Sequence, residues 1–302
     1  MSKIKILVSD EIDTSGTGIL SKLKFEVVCK FGITNDEILK SYNGFDILVI
    51  RSIRKIDKNF LDSCTFRLIA TCSKGTDHID TEYAAKKGIT ILNADDSNNI
   101  SAAEHTLGLI LAIQKNILFS DSLVRKNKFS FYDYERNELY GKKIGIIGFG
   151  KVGSYVGKLC GAFGMKVYAN DTDKNVKNKN KDFVFKSWKF IMENCDIVTI
   201  HIPMNKNNFR FISEDKLKML DKDSILINTS RGDVIDEKYL LKILKQKSIK
   251  FAGLDVFTNE PEINKDFALL DNVILTNHIA GKTIQSRRNV SENIFRQIKN
   301  LF

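Results

Sequence analysis

Short apolar runs alternate with helix-like stretches along the first third of the chain. A run of this length suits one buried strand, and the stretches between the runs favour helices. Thr34, for example, stands three residues before Glu37, which is the pattern of a capping box at the start of a helix. A helical remnant is expected at 19–23, and strands are predicted at residues 3–9, 25–29, 45–50, 67–71 and 89–92.

The rest of the chain repeats this alternation, which predicts parallel sheets with helices on both faces. The apolar segment 101–117 predicts a helix that leads into a second unit, with Ser101 and Glu104 as its capping box. The last 20 or so residues predict one helix that packs back on the first unit, with Val290, Ile294, Ile298 and Leu301 on one face. Six strands, the number of a full dinucleotide fold, are predicted between these helices at residues 144–147, 165–169, 197–200, 224–228, 251–254 and 273–275.

A glycine motif directly follows the apolar run 144–147: Gly148, Gly150 and Gly153 have the spacing G-x-G-x-x-G. Between a strand and a helix, the first glycine permits the tight turn, the second lets backbone approach a pyrophosphate, and the third allows close helix packing. The helix N-terminus adds N–H groups and the positive end of its dipole. Asp171, 23 residues after Gly148, has the position of the acid that binds the adenosine ribose.

The motif identifies the second unit as a dinucleotide-binding domain. Thr172 and Asp173 follow the acid, and no arginine is present there for a 2′-phosphate, which favours NAD over NADP. We therefore predict an α/β protein with two doubly wound parallel-sheet domains. One comprises residues 1–96 plus 283–302, and the other is a Rossmann NAD-binding domain of residues 97–282.

The composition is that of an ordinary soluble globular protein, with 43% hydrophobic and 28% charged residues among 302. Apolar runs are shorter than the ~20 residues of a membrane span, and no signal peptide is recognised, so a cytoplasmic location is expected. The net charge of +10 favours anionic small ligands, and no nucleic-acid-binding motif accompanies it. Five cysteines without a C-x-x-C pair predict reduced thiols and no metal site.

Aromatic side chains are concentrated at residues 119–140, outside any clear periodic element. They predict a packed arm, and its acceptor is either the partner subunit of a homodimer or the same chain. The residues are Phe119, Phe129, Phe131, Tyr132, Tyr134 and Tyr140.

Four polar segments follow predicted strands of the second unit, at residues 201–203, 228–233, 254–261 and 276–281. Ligands of doubly wound sheets bind beyond these carboxyl ends. With the glycine motif, the segments resemble those of NAD-dependent D-2-hydroxyacid dehydrogenases over nearly the whole chain.

Within that family, the chain most resembles the D-3-phosphoglycerate dehydrogenases, in the segments 6–10, 49–52, 99–106 and 254–257. Erythronate-4-phosphate dehydrogenases are a second group of relatives, through the segments 75–80 and 278–281.

The resemblance implies that Arg231, Glu260 and His278 are the catalytic residues. His278 would take the hydroxyl proton of an alcohol, and Glu260 would orient its ring and favour imidazolium. Arg231 would hold the 2-oxygen and carboxylate of the substrate with its planar fork, while the cofactor carries the hydride chemistry. Asp255 is expected to face the nicotinamide amide. The implied NAD-binding residues are Gly148, Gly150, Lys151, Val152, Gly153, Asp171, Pro203, Thr229, Asp255, Ala280 and Gly281.

The resemblance implies that the first domain, residues 1–96 plus 283–302, is a flavodoxin-like substrate-binding (catalytic) domain. The loop 71–75 departs from the family's Arg-Ala-Gly-x-Gly, but its backbone N–H groups would still hold a carboxylate. Lys74 is an additional cation that either contacts phosphate or cofactor or lies in solvent. Arg51 and Ser52 match residues that hold the distal phosphate of phosphorylated substrates. The implied substrate-binding residues are Arg51, Ser52, Ser73, Lys74 and Gly75.

The activity that the resemblance implies is NAD-dependent oxidation of D-3-phosphoglycerate to 3-phosphohydroxypyruvate, on the route to serine. Erythronate-4-phosphate dehydrogenase and a general 2-oxoacid or glyoxylate reductase are alternatives. An NAD-sensing, co-repressor-like binding protein is an alternative from another class. Because the chain ends at Phe302, feedback through an additional regulatory domain is not expected.

Overall fold

The structure is a computed structural model that describes residues 3–94, 98–129 and 135–302. The chain forms two compact units, Met1–Asn98 with Lys282–Phe302, and Asn99–Gly281.

The first unit is built on a five-stranded parallel sheet in the order β2-β1-β3-β4-β5. This is the flavodoxin-like order, and it confirms the predicted fold class. The strands are β1 (Ile4–Val8), β2 (Phe25–Cys29), β3 (Ile47–Ile50), β4 (Leu68–Thr71) and β5 (Thr90–Asn93).

Both faces of this sheet are covered, which explains why its strands are continuous apolar runs rather than alternating ones. Successive side chains of a strand point to opposite faces. Ile6 and Val8 therefore pack with the C-terminal helix Ile284–Leu301, while Leu7 packs against the helices on the other face. Those helices are α1 (Asn35–Ser41), α2 (Lys58–Ser63) and α3 (Thr81–Lys86).

The capping box predicted at Thr34 is confirmed. The Thr34 N–H donates to Glu37 Oε2 over 2.6 Å, and the Glu37 N–H donates to Thr34 Oγ1 over 3.2 Å. The helical remnant predicted at 19–23 is wrong, because the helical turn there is a 3-10 helix at Thr14–Ile19. The N-cap of this 3-10 helix is Asp13, whose side chain accepts from the Ser15 N–H. A cap of this kind is a polar signal, which a search for apolar periodicity does not detect.

The C-terminal helix packs on the first unit, as predicted, but with a different set of side chains. Ile294 and Ile298 are fully buried and Val290 is partly buried in the same cluster. Phe295, which was not predicted, is also fully buried, whereas Leu301 is 54% exposed. The helix ends at Leu301, one turn beyond the buried Ile298.

The second unit contains a seven-stranded parallel sheet among the residues that the structure describes, in the order β12-β11-β10-β9-β6-β7-β8. The prediction of six strands missed β8, which has two residues and is too short to give a pattern. Strands β6 to β11, including β8, match the Rossmann order 3-2-1-4-5-6, and β12 lies beyond β11. The switch point lies between β6 and β9. The strands are β6 (Lys143–Ile147), β7 (Lys166–Asn170), β8 (Val184–Phe185), β9 (Ile197–Ile200), β10 (Ile225–Asn228), β11 (Phe251–Leu254) and β12 (Val273–Leu275).

Helices cover both faces of the second sheet. One face packs with α4 and α6 and the other with α8 and α10. The helices of this unit are α4 (Asn99–Gln114), α5 (Ile117–Arg125), α6 (Lys151–Ala162), α7 (Lys174–Lys179), α8 (Trp188–Asn194), α9 (Glu214–Leu217) and α10 (Glu237–Lys245), with 3-10 helices at Gly232–Val234 and Lys265–Leu269.

The helix predicted at 101–117 differs in both of its ends. It begins at Asn99, so Ser101 lies inside α4 and the capping box predicted with Glu104 is wrong. The Ser101 hydroxyl donates instead to the Ala280 carbonyl over 2.6 Å. The helix ends at Gln114, and the left-handed backbone of Asn116 (φ 53°) separates it from α5.

Some expectations fall outside what the structure describes. Phe131, Tyr132 and Tyr134 of the predicted arm lie outside the described residues.

All five cysteines are free thiols, and the described residues contain no group of three or more acidic, histidine or cysteine side chains placed for a metal ion. Within the same residues no single helix has the length and apolarity of a membrane span, although α4 and α5 pass that test as a pair bent by 59°.

Candidate active site

The three glycines of the turn after β6 differ in what a side chain would meet at each position. Gly148 has a φ of +89°, and a Cβ there would lie 2.7 Å from the His201 carbonyl carbon. A Cβ on Gly153 would overlap the Gly148 oxygen, so α6 could not pack as closely. Gly150 has an ordinary φ of −67° and no atom within 4 Å of its Cβ position. The protein itself therefore requires the first and third glycines, and the second faces open space.

That open space fits a dinucleotide pyrophosphate. Gly150 is the N-cap of α6 and forms no side-chain cap hydrogen bond, and Lys151 and Val152 begin the helix. The positive end of the helix dipole thus lies beside the space, as an anion requires. Asp171 follows β7, and its two carboxylate oxygens accept from the Phe149 N–H (2.8 Å) and the Asp173 N–H (2.9 Å). The acid of the motif is therefore held directly against the turn.

His278 and Glu260 form a hydrogen-bonded pair beyond the carboxyl ends of β11 and β12. His278 Nδ1 lies 2.6 Å from Glu260 Oε2, and Glu260 Oε1 accepts from the Phe257 N–H over 3.0 Å. Burial tends to raise the pKa of Glu260, but the hydrogen bonds from His278 and Phe257 and the charge of Arg231 outweigh it, so the pKa lies below its ordinary value. An ionised carboxylate only accepts, so Nδ1 carries the proton and Nε2 is the nitrogen that can take one.

Arg231 lies on the turn after the neighbouring strand β10. The Arg231 Nη1 donates to the Ser230 carbonyl over 2.8 Å. The side-chain amide of Asn228 donates to the Arg231 carbonyl over 2.9 Å. A Cβ on the next residue, Gly232, would overlap the Phe257 carbonyl. Gly232 therefore lets the Arg231 turn approach the segment that carries Glu260, a role that the sequence analysis did not assign.

The backbone of His278 is in the left-handed region, with a φ of 55°. For a residue other than glycine this costs on the order of 1–3 kcal/mol, so the surroundings must hold it. Asp255 does so. Its carbonyl accepts from the His278 N–H over 2.8 Å, and its carboxylate accepts from the N–H groups of Ile279 and Ala280, both over 2.9 Å.

Asp255 is fully buried beneath this turn. Burial tends to raise the pKa of its carboxyl, but hydrogen bonds from His105, Thr276 and the two backbone N–H groups lower the pKa below its ordinary value. The expected contact of Asp255 with the nicotinamide stays a prediction, and what the geometry gives it is the support of the His278 turn. The sequence analysis missed His105 and Thr276, for which the one signal was a histidine within the largely apolar segment 101–117.

The other predicted cofactor residues lie along the same carboxyl edge of the second sheet. Thr229 follows β10, and its hydroxyl lies 2.8 Å from that of Thr106. Pro203 follows β9 and is exposed, and Ala280 and Gly281 follow the His278 turn. Their contacts with NAD stay predictions.

The predicted substrate residues belong to the first unit, where they follow two neighbouring strands. The Arg51 N–H, after β3, donates to Asp10 over 2.9 Å, and its Nη1 donates to the Glu11 carbonyl over 3.2 Å. Ser52 is exposed. Arg54, which the sequence analysis missed, anchors this loop through a buried ion pair with Asp10 (2.6 Å).

The loop after β4 is held by its own side chains. Ser73 Oγ lies 2.8 Å from Thr71 Oγ1 and donates to the Gly75 carbonyl over 2.8 Å. The Lys74 carbonyl accepts from the side chain of Asn93 over 2.7 Å, and the Lys74 side chain is exposed. Because β3 and β4 are adjacent, Arg51 and this loop share one edge of the first sheet.

Comparison with known proteins agrees with this geometry. The profile described as "D-isomer specific 2-hydroxyacid dehydrogenase, NAD binding domain" matches residues 107–280, more than half of the chain. The glyoxylate reductase of Pyrococcus furiosus is 31% identical over 311 residues, covering 98% of this chain and 91% of that protein. The chain belongs to the D-isomer specific 2-hydroxyacid dehydrogenase family.

Two further relatives show the range of this family. The D-3-phosphoglycerate dehydrogenase of Methanocaldococcus jannaschii is 33% identical over 299 residues, and the chain spans 57% of the length of that relative. The crystal structure of D-lactate dehydrogenase from Aquifex aeolicus, complexed with NAD and lactic acid, superposes with a TM-score of 0.83 at 27% identity, covering 98% of this chain and 95% of that one. The 2-hydroxyacid dehydrogenase fold predicted from the sequence is thereby confirmed for both units.

Proposed function

We propose that this 2-hydroxyacid dehydrogenase family member is a cytoplasmic NAD-dependent enzyme that oxidises D-3-phosphoglycerate to 3-phosphohydroxypyruvate. The observation that carries the proposal is the His278–Glu260 pair (2.6 Å), with the charge of Arg231 close enough to lower the pKa of Glu260. This pair follows strands that end on the same edge of the sheet as the glycine turn.

In this reaction the side chains move one proton and orient the substrate. NAD, when bound, supplies the acceptor for the hydride. His278 takes the hydroxyl proton at Nε2, because Nδ1 is committed to Glu260. The ionised Glu260 stabilises the imidazolium that results, and Arg231 offers its guanidinium to the substrate's carboxylate and 2-oxygen.

Arg51 and Ser52 support a phosphorylated substrate, because a guanidinium beside a hydroxyl suits a phosphate. The weak Arg51 contact with the Glu11 carbonyl (3.2 Å) is one that a phosphate oxygen can replace. A second candidate, a glyoxylate or other general 2-oxoacid reductase, is favoured by the likeness to the glyoxylate reductase that covers 91% of that protein's length.

Initial rates with NAD and 3-phosphoglycerate, 4-phosphoerythronate, D-lactate and D-glycerate test the proposal, with NADH and glyoxylate as the reverse assay. The highest kcat/KM is expected for 3-phosphoglycerate. A preference for glyoxylate would favour the second candidate. NAD binding without turnover of any acid would contradict both and favour a binding protein.

The variant Arg51→Ala is expected to lower kcat/KM for 3-phosphoglycerate by about 10–150-fold, because a hydrogen bond to a charged group contributes roughly 1.5–3 kcal/mol. The rate with D-glycerate should change little, since it has no distal phosphate. Lys55→Ala removes an exposed cation nearby and is the control. An equal loss for both acids in Arg51→Ala would rule out a phosphate contact.

We also propose that the enzyme is a homodimer that pairs through α5. Among its described residues this helix has no buried side chain, and Ile117, Leu118 and Val124 are each at least half exposed. Exposed apolar side chains grouped on one short helix are typical of an interaction surface, and a second copy of the chain fits the packed arm predicted from the sequence.

The double variant Leu118→Glu with Val124→Glu is expected to convert the dimer into a species of 34.3 kDa, the mass of one chain, because buried unpaired carboxylates destabilise an interface. Light scattering after gel filtration measures this mass. Lys174→Glu, on α7, is the charge control and should leave the dimer intact. A variant that keeps the wild-type mass would place the interface elsewhere.

A further inference from the structure

The buried carboxylate of Asp255 is served by a side chain from a distant helix. Thr276 Oγ1 donates to Asp255 Oδ1 over 2.6 Å. His105 Nε2, on α4, lies 3.1 Å from Thr276 Oγ1 and 3.5 Å from Asp255 Oδ1. His105 and Thr276 are 171 residues apart in the chain, so this contact exists only in the folded unit.

The protons of this network can be assigned from its geometry. The Thr276 hydroxyl has one hydrogen, and an ionised carboxylate can only accept, so that hydrogen belongs to the bond with Asp255. Thr276 Oγ1 must then accept from His105, and His105 Nε2 therefore carries a proton. The chain of donors runs from the imidazole through the hydroxyl to the buried carboxylate.

The face of α4 that carries His105 also contacts the other end of the His278 turn. Ser101 and His105 are four residues apart on α4 and thus lie on one face. Ser101 Oγ donates to the Ala280 carbonyl over 2.6 Å, after His278, while His105 contacts Thr276, before it. Two polar side chains on one face of α4 therefore bracket the left-handed His278.

We propose that His105 is a positioning residue of the active site: its Nε2 proton completes the hydrogen bonds of Thr276 and Asp255 and so holds the turn that aims His278 at Glu260. The inference rests on the proposed function for its catalytic consequence, but its structural content concerns the His278–Glu260 pair alone.

Loss of this proton should affect turnover more than cofactor affinity. Without it, Thr276 Oγ1 loses the donor that orients its hydroxyl toward Asp255, and the carboxylate and the backbone N–H groups of residues 279 and 280 are held less firmly. A shift of His278 by 1 Å can cost about 100-fold in rate. His105 does not belong to the glycine turn after β6, so the contacts of that turn with the pyrophosphate should stay intact and the KM for NAD should change less than kcat.

The test compares three variants in the full-length protein. His105→Ala is expected to lower kcat by about 10–100-fold, and His105→Gln, whose amide keeps an N–H donor near the Nε2 position, should recover most of that loss. Glu104→Gln, on the exposed neighbour, is the control. Thr276→Val removes the bridging hydroxyl without changing α4, and it should reproduce His105→Ala if the alanine variant folds poorly.

A proton NMR signal provides a readout that needs no turnover. The His278 Nδ1 proton lies in a 2.6 Å hydrogen bond and should resonate far downfield. The protein has four histidines, so His278→Asn assigns the signal. It should be retained in wild type, Glu104→Gln and His105→Gln, and lost or broadened in His105→Ala and Thr276→Val.

The outcomes separate this inference from the proposed function. A His105→Ala protein with an unchanged His278 signal and unchanged kcat would overturn the positioning role. Equal loss of the signal in His105→Gln and His105→Ala would also overturn it, because the donor would then not be the reason. If the wild type oxidises no hydroxy acid, the proposed reaction fails, while the NMR comparison still decides whether His105 positions His278.

Discussion

Replacing His278 by alanine is expected to lower kcat by about 10²–10⁴-fold, which is the usual contribution of a positioned acid–base group. In the proposed reaction, Nε2 of His278 takes the substrate proton, because Nδ1 is committed to Glu260 (2.6 Å). Steady-state formation of NADH with the best hydroxy acid measures the effect. The Kd for NAD should be nearly unchanged, since the glycine turn is intact.

Glu260→Gln gives the matching control. The amide can still accept from Nδ1, but it stabilises imidazolium less than a carboxylate does, so kcat should fall by less than in the alanine variant. In a His278→Ala background the same substitution should cause little further loss, because residues that act as a unit are not additive. Two independent, multiplicative losses would mean that Glu260 acts on something other than His278.

The variant Gly150→Asp is expected to weaken NAD binding by two to three orders of magnitude while leaving the fold intact. A Cβ at this position meets no atom within 4 Å, and aspartate is a favourable N-cap at the start of α6. Its charge, however, would face the pyrophosphate, and like charges at 4 Å in a surface environment repel by roughly 4 kcal/mol. Titration calorimetry with NAD and urea unfolding measure the two effects separately.

Two further glycine variants test the cause of the expected loss in NAD affinity. Gly150→Asn has nearly the same shape as aspartate without the charge, so it separates steric from electrostatic loss. Gly153→Ala should instead destabilise the protein by about 1–3 kcal/mol, because its Cβ would overlap the Gly148 oxygen. If Gly150→Asp bound NAD as tightly as wild type, the pyrophosphate would not lie at this turn.

Much of the site was predictable because its signals are local. The glycine turn and Asp171 depend on residues within one strand–turn–helix–strand unit, and the hydrogen bond between Asp171 and the Phe149 N–H (2.8 Å) joins residues of that unit. His278, Glu260 and Arg231 were identified through resemblance to a family rather than from spacing. Their pairing could not follow from the sequence alone, since each lies after a different strand.

The sequence by itself determined the strands other than β8, the glycine turn and the two-unit organisation, because apolar periodicity and turn residues act over short distances. The tertiary structure alone decided which side chains support the catalytic turn. His105 contacts Thr276, and Ser101 contacts Ala280, across 171 and 179 residues. The burial of Asp255 arises only when β11 packs beneath that turn. Such contacts depend on packing between elements, and no local pattern in the chain encodes them.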